Sequence, residues 1–434
     1  MKIKDNSSRT KEECAEISGI IDKIADKTLD QLEKDGIFVF PNVVKEADDI
    51  TSDQMVLQGY NDTYRTSNVM GFLGLGNERL TIESRFSKGE NDYFFQYLLE
   101  RVLEFPNIVN LETDTNQDEQ LFSLLLFLFP QYLRGAVRKG IFKTYIRNEY
   151  NDENVKGSID IARHIRKNIP FTGNVAYSQR EYSYDNYLIE LIRHTIEFIK
   201  RKPYGNKLLE SVKDEIKLVI EATGNYKPAD RRRIIDLNKK NVVRHAYYHE
   251  YRDLQHLCIL ILQNEKHQMG SGSKKVFGIL FDGAWLWEEY VNMLIGEAFY
   301  HPMNKGGKGA QWLFAGGTGL IYPDFMGRDA DNRVIADAKY KPISNIGNKD
   351  YLQVLAYMFR FDAKKAYYLY PEADGSDDLE LVLNQGSSFE KNVHPREDIR
   401  IIKHGLKIPF SDGTYSEFIE KIKIAENDFK NIFR

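Results

Sequence analysis

A short apolar run, Val334–Tyr340 (VIADAKY), carries an aspartate and a lysine among residues that favour burial. Charge costs more inside such a strand than on a surface loop, so a fold that accepts it must give Asp337 and Lys339 partners. The preceding residues narrow the choice. Asp329-Ala330-Asp331-Asn332 is turn-prone, and Ile321–Lys341 reads as a hairpin of two strands, Tyr322–Phe325 and Arg333–Tyr340. Pairing about Ala330 and Asp331 sets Asp324 opposite Asp337, with Cβ atoms roughly 5 Å apart. Alternation places Ile335, Asp337 and Lys339 on one face and Val334, Ala336, Ala338 and Tyr340 on the other. Two carboxylates and an ammonium on one face are a costly set unless a cation joins them. The hairpin is therefore a candidate metal-dependent nuclease site.

The flanking sequence surrounds the hairpin with an ordered series. Asp282 can cap a helix with apolar positions Trp287, Tyr290, Val291, Leu294 and Ala298, and this helix carries Glu288. Gln311–Ala315 reads as a strand. Asp350 starts a helix with Leu352, Leu355, Ala356 and Phe359 on one side and Gln353 and Tyr357, four apart, on the other. Ala366–Tyr370 is a strand stopped by Pro371, and a final amphipathic helix takes about Tyr415–Phe433. The order is helix, three strands, helix, strand.

Upstream, residues 36–86 look β-rich, with short apolar runs at Ile37–Phe40, Met55–Leu57, Val69–Phe72 and Leu80–Glu83. Residues 1–30 are polar, with a weak helical pattern near Ile20, Ile21 and Ile24. Helices dominate next, at Tyr93–Leu103 before Pro106, Leu121–Leu133, Leu208–Ile220 and Tyr251–Gln263. Another, capped by Asp185, has the stripe Leu188, Leu191, Ile192, Ile196 and Ile199. Val155–Ile161 reads as a turn and strand. A Gly/Ser-rich break at 268–275 reads as a linker. The expectation is an α+β, multidomain chain: residues 1–110 a β-rich domain for partner docking, 111–275 a mainly helical middle, and 276–434 the domain of the candidate site.

Several function classes fall away. The net charge of −4 over 434 residues leaves any DNA contact to local basic clusters. These are Arg163, Arg166 and Lys167; Arg231, Arg232 and Arg233; and Lys239, Lys240 and Arg244, each able to meet DNA phosphates or an acidic partner surface. No apolar run reaches a membrane span, the N-terminus lacks the apolar stretch of a secretory signal, and only Cys14 and Cys258 occur. A cytoplasmic protein without a disulfide framework is expected. His245 and His249 lack the intervening Glu of HExxH, so a structural or surface role outweighs zinc. Gly306-Gly307-Lys308-Gly309 and Gly316-Gly317-Thr318-Gly319 do not fit GxxxxGK[ST], so no nucleotide site is expected in this chain.

The pattern Glu288, Pro323-Asp324, Asp337-Ala338-Lys339 and Gln353-x-x-x-Tyr357 resembles the PD-(D/E)xK nuclease core, whose elements run αβββαβ. More narrowly, LWEEYV at Leu286–Val291, YPDF at Tyr322–Phe325 and VIADAKYK at Val334–Lys341 resemble the McrC-like nuclease subunits of McrBC-type modification-dependent restriction systems. So do VKGSIDIARHIRKN at Val155–Asn168 and REYSYDNYLIELIRHT at Arg180–Thr195; the likeness extends from about Phe72 onward. It implies a DNA endonuclease in which Asp324, Asp337 and the Ala338 carbonyl hold Mg²⁺, with Mn²⁺ able to substitute and Glu288 completing the shell. Lys339 would act on the attacking water or the phosphate, with Gln353 and Tyr357 orienting the site. The implied partners are a separate McrB-like AAA+ NTPase hexamer, with GTP favoured over ATP, which this chain stimulates, and double-stranded, modified DNA. The alternatives are an inert activator or adaptor of an AAA+ NTPase and a free-standing DNA repair nuclease.

Overall fold

The computed structural model describes residues 1–35, 37–40, 54–76, 78–89, 91–102, 117–267, 276–302 and 310–433. The expected linker at 268–275, the Gly306–Gly309 stretch and the helix stop at Leu103–Pro106 lie outside the described residues. In chain order, the first segment forms β1 (Lys2–Lys4), β2 (Ser8–Thr10), α1 (Ser18–Ile24), α2 (Leu29–Asp35), β3 (Phe38–Phe40), β4 (Leu57–Tyr60), β5 (Thr63–Thr66), β6 (Val69–Leu75), β7 (Glu78–Glu83) and α3 (Tyr93–Val102). The middle forms α4 (Gln117–Val137), β8 (Thr144–Asp152), β9 (Ser158–Ile159), α5 (Ile161–Lys167), β10 (Val175–Ser183), α6 (Tyr187–Lys200), α7 (Gly205–Leu209), α8 (Lys213–Ala222), α9 (Arg231–Lys240) and α10 (His249–His267). The last segment forms β11 (Phe277–Asp282), α11 (Gly283–Ile295), β12 (Phe299–Tyr300), β13 (Gln311–Phe314), β14 (Thr318–Ile321), β15 (Phe325–Gly327) and β16 (Val334–Ala338). It continues with α12 (Asn348–Arg360), β17 (Lys365–Glu372), β18 (Leu379–Gln385), β19 (His394–Lys407) and α13 (Tyr415–Asn431). The chain is a mixed α+β protein of several sheets. No helix among the described residues is long and apolar enough to cross a membrane.

Contacts divide the chain into two compact units, one of Met1–Thr115 with Ser271–Arg434 and one of Asn116–Gly270. The division expected at 110 and 275 differs on one point, because it separates the first and last segments. In the structure they share a five-stranded sheet of order β1-β7-β6-β11-β3. Here β11 runs antiparallel to β6, from Phe277 opposite Gly74 to Asp282 opposite Val69, and parallel to β3. Its Ile279, Leu280 and Phe281 are wholly buried, which requires cover on both faces and a strand on both edges. Pairing across so long a separation leaves no local trace in the sequence. Gly71 makes the closest approach, with φ +146° and a position where a Cβ would lie 2.1 Å from the Ile279 carbonyl oxygen.

The second large sheet of this unit has the order β12-β15-β16-β17-β19-β18. Its core joins Ile335, Val354, Tyr357, Met358, Ala366, Tyr368 and Tyr370. α11, β12, β15, β16, α12 and β17 follow one another as helix, three strands, helix, strand. The first of the three is β12, however, and not the expected strand at Gln311. Among the described residues β13 pairs with β14 alone, in a separate two-stranded sheet. β17 continues through Pro371 to Glu372, past the end expected at Tyr370. Leu369 and Pro371 present their backbone to the β16 side, where the pairing ends at Ala338 opposite Leu369, so the missing N–H costs no ladder bond. α12 turns a different face inward than its apolar stripe suggests. Leu352 and Phe359 are 70% and 90% exposed, whereas Val354, Tyr357 and Met358 are buried.

The middle unit contains the three-stranded sheet β8-β10-β9 and the helices α4 to α10. The stripe of α6 is as read, with Leu188, Leu191, Ile192, Ile196 and Ile199 fully buried. Its cap is Asn186 rather than Asp185, with the side chain accepting from the N–H groups of Leu188 and Ile189. Val155–Ile161 yields only the two-residue β9, because Asp160 caps α5. α4 continues past Pro130 to Val137.

Two outcomes follow. Gly71→Ala should lower stability by about 2–3 kcal/mol in denaturant unfolding; an unchanged midpoint would contradict the β6–β11 approach. Burial pushes the His194 imidazole down from 6.5 to about 4, so the folded state holds it neutral. Its stabilising contribution is complete above pH 6.5 and is lost as pH falls toward about 4. His194→Phe should flatten that part of the stability–pH curve, and a parallel curve would contradict the neutral buried state.

Candidate active site

The ladder places Phe325 opposite Ala336 and Met326 opposite Ile335, the register centred on Ala330 and Asp331. The expected pair of Asp324 with Asp337 falls one position beyond the end of this ladder. The first strand begins later than expected, at Phe325, because Tyr322 to Asp324 leave the ladder for other bonds. Asp324 accepts the Ala338 N–H on Oδ2 at 2.8 Å. Tyr357 donates its hydroxyl to the Tyr322 carbonyl at 3.2 Å and itself receives a bond from Gln353 Nε2 at 2.7 Å.

Asp337 lies in an inner strand and is 1% exposed. Its Oδ2 is 2.7 Å from Lys339 Nζ. Burial alone would lower the Lys339 ammonium, but the carboxylates of Asp337, Asp324 and Asp350 outweigh it and hold the group above its ordinary value. Burial pushes the Tyr357 hydroxyl up to about 12, and the charges of Asp337 and Asp324 add to the rise. Asp324 bonds the Ala338 amide between Asp337 and Lys339, and Tyr357 bonds the Tyr322 carbonyl two residues before Asp324, which ties the four residues into one cluster. Gln353 reaches it through Tyr357 from an exposed position on α12.

Glu288 enters by way of a residue the sequence reading missed. His301 donates from Nδ1 to the Asp324 carbonyl at 2.9 Å, presents Nε2 at 3.6 Å to Glu288 Oε1 and stacks on Phe325. Nothing in the local sequence marks it. α11 is fixed beside β16 by a shared acceptor: the Leu369 carbonyl takes the Lys339 N–H at 2.8 Å and Trp287 Nε1–H at 2.9 Å. Lys341 and Asp350 were also missed as site residues. Lys341 Nζ is 2.8 Å from each Asp350 carboxylate oxygen, and the i, i+2 spacing of Lys339 and Lys341 was the available signal.

Tyr340, between these lysines, points the other way and anchors the strand end in the five-stranded sheet's surroundings. Its hydroxyl meets Ser84 Oγ at 2.8 Å, its ring packs edge-on to Phe86, and Arg85 donates to its carbonyl. Arg85 is paired with buried Asp5 at 3.6 Å; burial lifts the Asp5 carboxyl to about 6 against the pull of Arg85.

Among the described residues, no group of three His, Cys, Asp or Glu side chains is placed to hold a metal by itself. Mg²⁺ asks for less, because one or two carboxylates suffice when waters and substrate phosphate fill the shell. The carboxylates nearest such a site are Asp337, whose Oδ2 draws the Lys339 ammonium to 2.7 Å, and Asp324, on the Ala338 amide.

The basic clusters of the middle unit fare unequally. Arg163 is turned inward, donating to the carbonyls of Tyr150 and Tyr177 and pairing with Glu149 and Asp160, so it does not belong to a contact surface as expected. Arg231 lies over the Phe198 ring and reaches the Leu262 carbonyl, and Arg233 pairs with Asp230 at 2.7 Å. Arg166, Lys167, Arg232, Lys239, Lys240 and Arg244 are exposed. His245 uses Nδ1 to cap the turn at Tyr247, a structural role.

A family model described as McrBC 5-methylcytosine restriction system component matches residues 64–371. No curated protein matches the chain. Two solved structures are similar at 16% identity. The refined half-complex from a tetradecameric assembly of Thermococcus gammatolerans McrB AAA+ hexamers with bound McrC has a TM-score of 0.49, covering 99% of this chain and 98% of that one. The Thermococcus gammatolerans McrBC complex, solved by cryo-EM, has a TM-score of 0.29, covering 68% and 87%.

His301→Phe should keep the stacking on Phe325 and remove the hold on the Asp324 carbonyl. Hydrogen exchange should then speed up at Phe325 and Ala338 and leave β17 unchanged. Equal protection in variant and wild type would contradict the tether.

Proposed function

The chain belongs to the McrBC 5-methylcytosine restriction system component family, and we propose that within such a system it is the subunit that cuts DNA. On this reading it is a metal-dependent endonuclease, with α11, β12, β15, β16, α12 and β17 as a PD-(D/E)xK core in αβββαβ order. One observation carries the reading: a buried Asp337 joined to Lys339, with Asp324 fastened to the intervening Ala338 amide. A surface hairpin with solvated charges would have no reason to bury a carboxylate and an ammonium together.

Mg²⁺ bound there, or Mn²⁺ in its place, would supply a water of lowered pKa and positive charge beside the phosphate. Asp324, Asp337 and the Ala338 carbonyl would hold it, with Glu288 completing the shell. Lys339 donates to the phosphate and offsets the charge that grows on it as the attacking oxygen adds. Tyr357, itself held by Gln353, fixes the Tyr322 carbonyl and so the approach of Asp324. His301 steadies the same residue from the other side.

The chain has no GxxxxGK[ST] sequence, and a separate McrB-like AAA+ NTPase hexamer, using GTP in preference to ATP, would supply motion along DNA and selection of modified sites. The N-terminal and middle parts would bind and stimulate it, with Arg166, Lys167 and Arg232 among the residues available to double-stranded DNA or to that partner. Asp337→Ala, assayed with the partner NTPase, Mg²⁺ and modified DNA, should lose cleavage by at least about 10²-fold while still stimulating nucleotide hydrolysis. Retained cleavage would rule out the site.

A further inference from the structure

The proposed site holds one carboxylate more than the metal needs. Asp350 is buried in the first turn of α12, and its place is set from three sides. Its carboxylate accepts the Gly347 N–H at 2.9 Å and both of its oxygens meet Lys341 Nζ. Its backbone carbonyl accepts the Tyr368 hydroxyl at 2.7 Å, and Tyr368 is the β17 partner of Asp337. Lys339 Nζ thus lies between two fixed carboxylates, 2.7 Å from Asp337 Oδ2 and 3.9 Å from Asp350 Oδ1.

A divalent cation on Asp324 and Asp337 would compete with Lys339 for the same carboxylate. The Lys339 side chain is only 17% exposed, so its charge cannot simply turn into water, and an ammonium stranded inside is costly. Asp350 is within reach: a shift of roughly 1 Å brings 3.9 Å down to hydrogen-bond length. Lys341 is more exposed, at 31%, and can keep Oδ2 while giving up Oδ1. Charge balance agrees. Asp324, Asp337, Asp350 and Glu288 against Lys339 and Lys341 sum to −2, which one divalent cation neutralises.

Resting on the nuclease reading, we propose that Asp350 is a positioning residue, the second seat to which Lys339 moves when a divalent cation takes Asp337. Lys339 then stands beside the metal rather than in its place, directed at the phosphate by Asp350.

Mn²⁺ binding to the intact chain, without DNA or partner and read by electron paramagnetic resonance, tests this. Asp350→Asn keeps the side-chain shape and an acceptor for Gly347. It should weaken Mn²⁺ binding by about ten-fold in the wild-type background and by much less in Lys339→Met, where no ammonium needs a seat. An equal factor in both backgrounds, or no weakening in the first, would overturn the proposal. If Asp350→Asn fails to fold, a crystal of the wild-type chain soaked in Mn²⁺ decides. Lys339 Nζ should then lie on Asp350 Oδ1, and Nζ still on Asp337 would refute the exchange. A wild-type chain that binds no Mn²⁺ would remove the nuclease reading and this inference with it.

Discussion

The ion pair between Asp337 and Lys339 is the constraint around which the larger unit is arranged. A carboxylate in an inner strand, closed on both faces, is tolerable only with a counter-charge at contact distance. Lys339 supplies it from two residues on, where β16 has just ended and its side chain is free to curl back. Placing that lysine commits its neighbours. Lys341, in the same phase, meets Asp350 and so fixes the first turn of α12. Tyr340, in the opposite phase, is driven among Ser84, Arg85 and Phe86. One strand end therefore joins the helix that follows it to a segment made far earlier in the chain.

Hydrogen-bond economy sharpens the same point. The Leu369 carbonyl serves both the Lys339 amide and the Trp287 indole, so the backbone of the lysine and the helix bearing Glu288 are referred to one atom. Asp324 is fixed by Ala338 and by His301, and Tyr322 by Tyr357. Asp324, Tyr357 and His301 are each located by a side-chain bond to backbone, while Asp337 and Lys339 hold one another.

How much of this was legible depended on whether the cause was local. The register of Phe325 with Ala336 and Met326 with Ile335 was legible, because a symmetric turn fixes register by counting. The start of the first strand was not, since Tyr322 and Asp324 answer to Tyr357 and His301, which are far off in sequence. The buried face of α12 was misread because Leu352 and Phe359 are the more apolar residues; Tyr357 wins the interior through its bond to the Tyr322 carbonyl. Arg163 looked like part of a basic face, but carbonyls of β8 and β10 claim it. The stripe of α6, with nothing to compete against hydrophobic period, was legible: all five of its positions are buried, and Ile189, His194, Thr195 and Phe198 widen the buried face.

The place of β11 in the five-stranded sheet has a consequence for how the chain comes into being. Synthesis delivers β1, β3, β6 and β7 early, then the whole middle unit, and only afterwards the strand that stands between β6 and β3. Until it arrives, β6 has a bare edge and β3 has no sheet to join, a condition that invites pairing with other chains. The middle unit meets no such delay, since its strands and helices are contiguous. The five-stranded sheet therefore cannot close until the strand that follows the middle unit has been made.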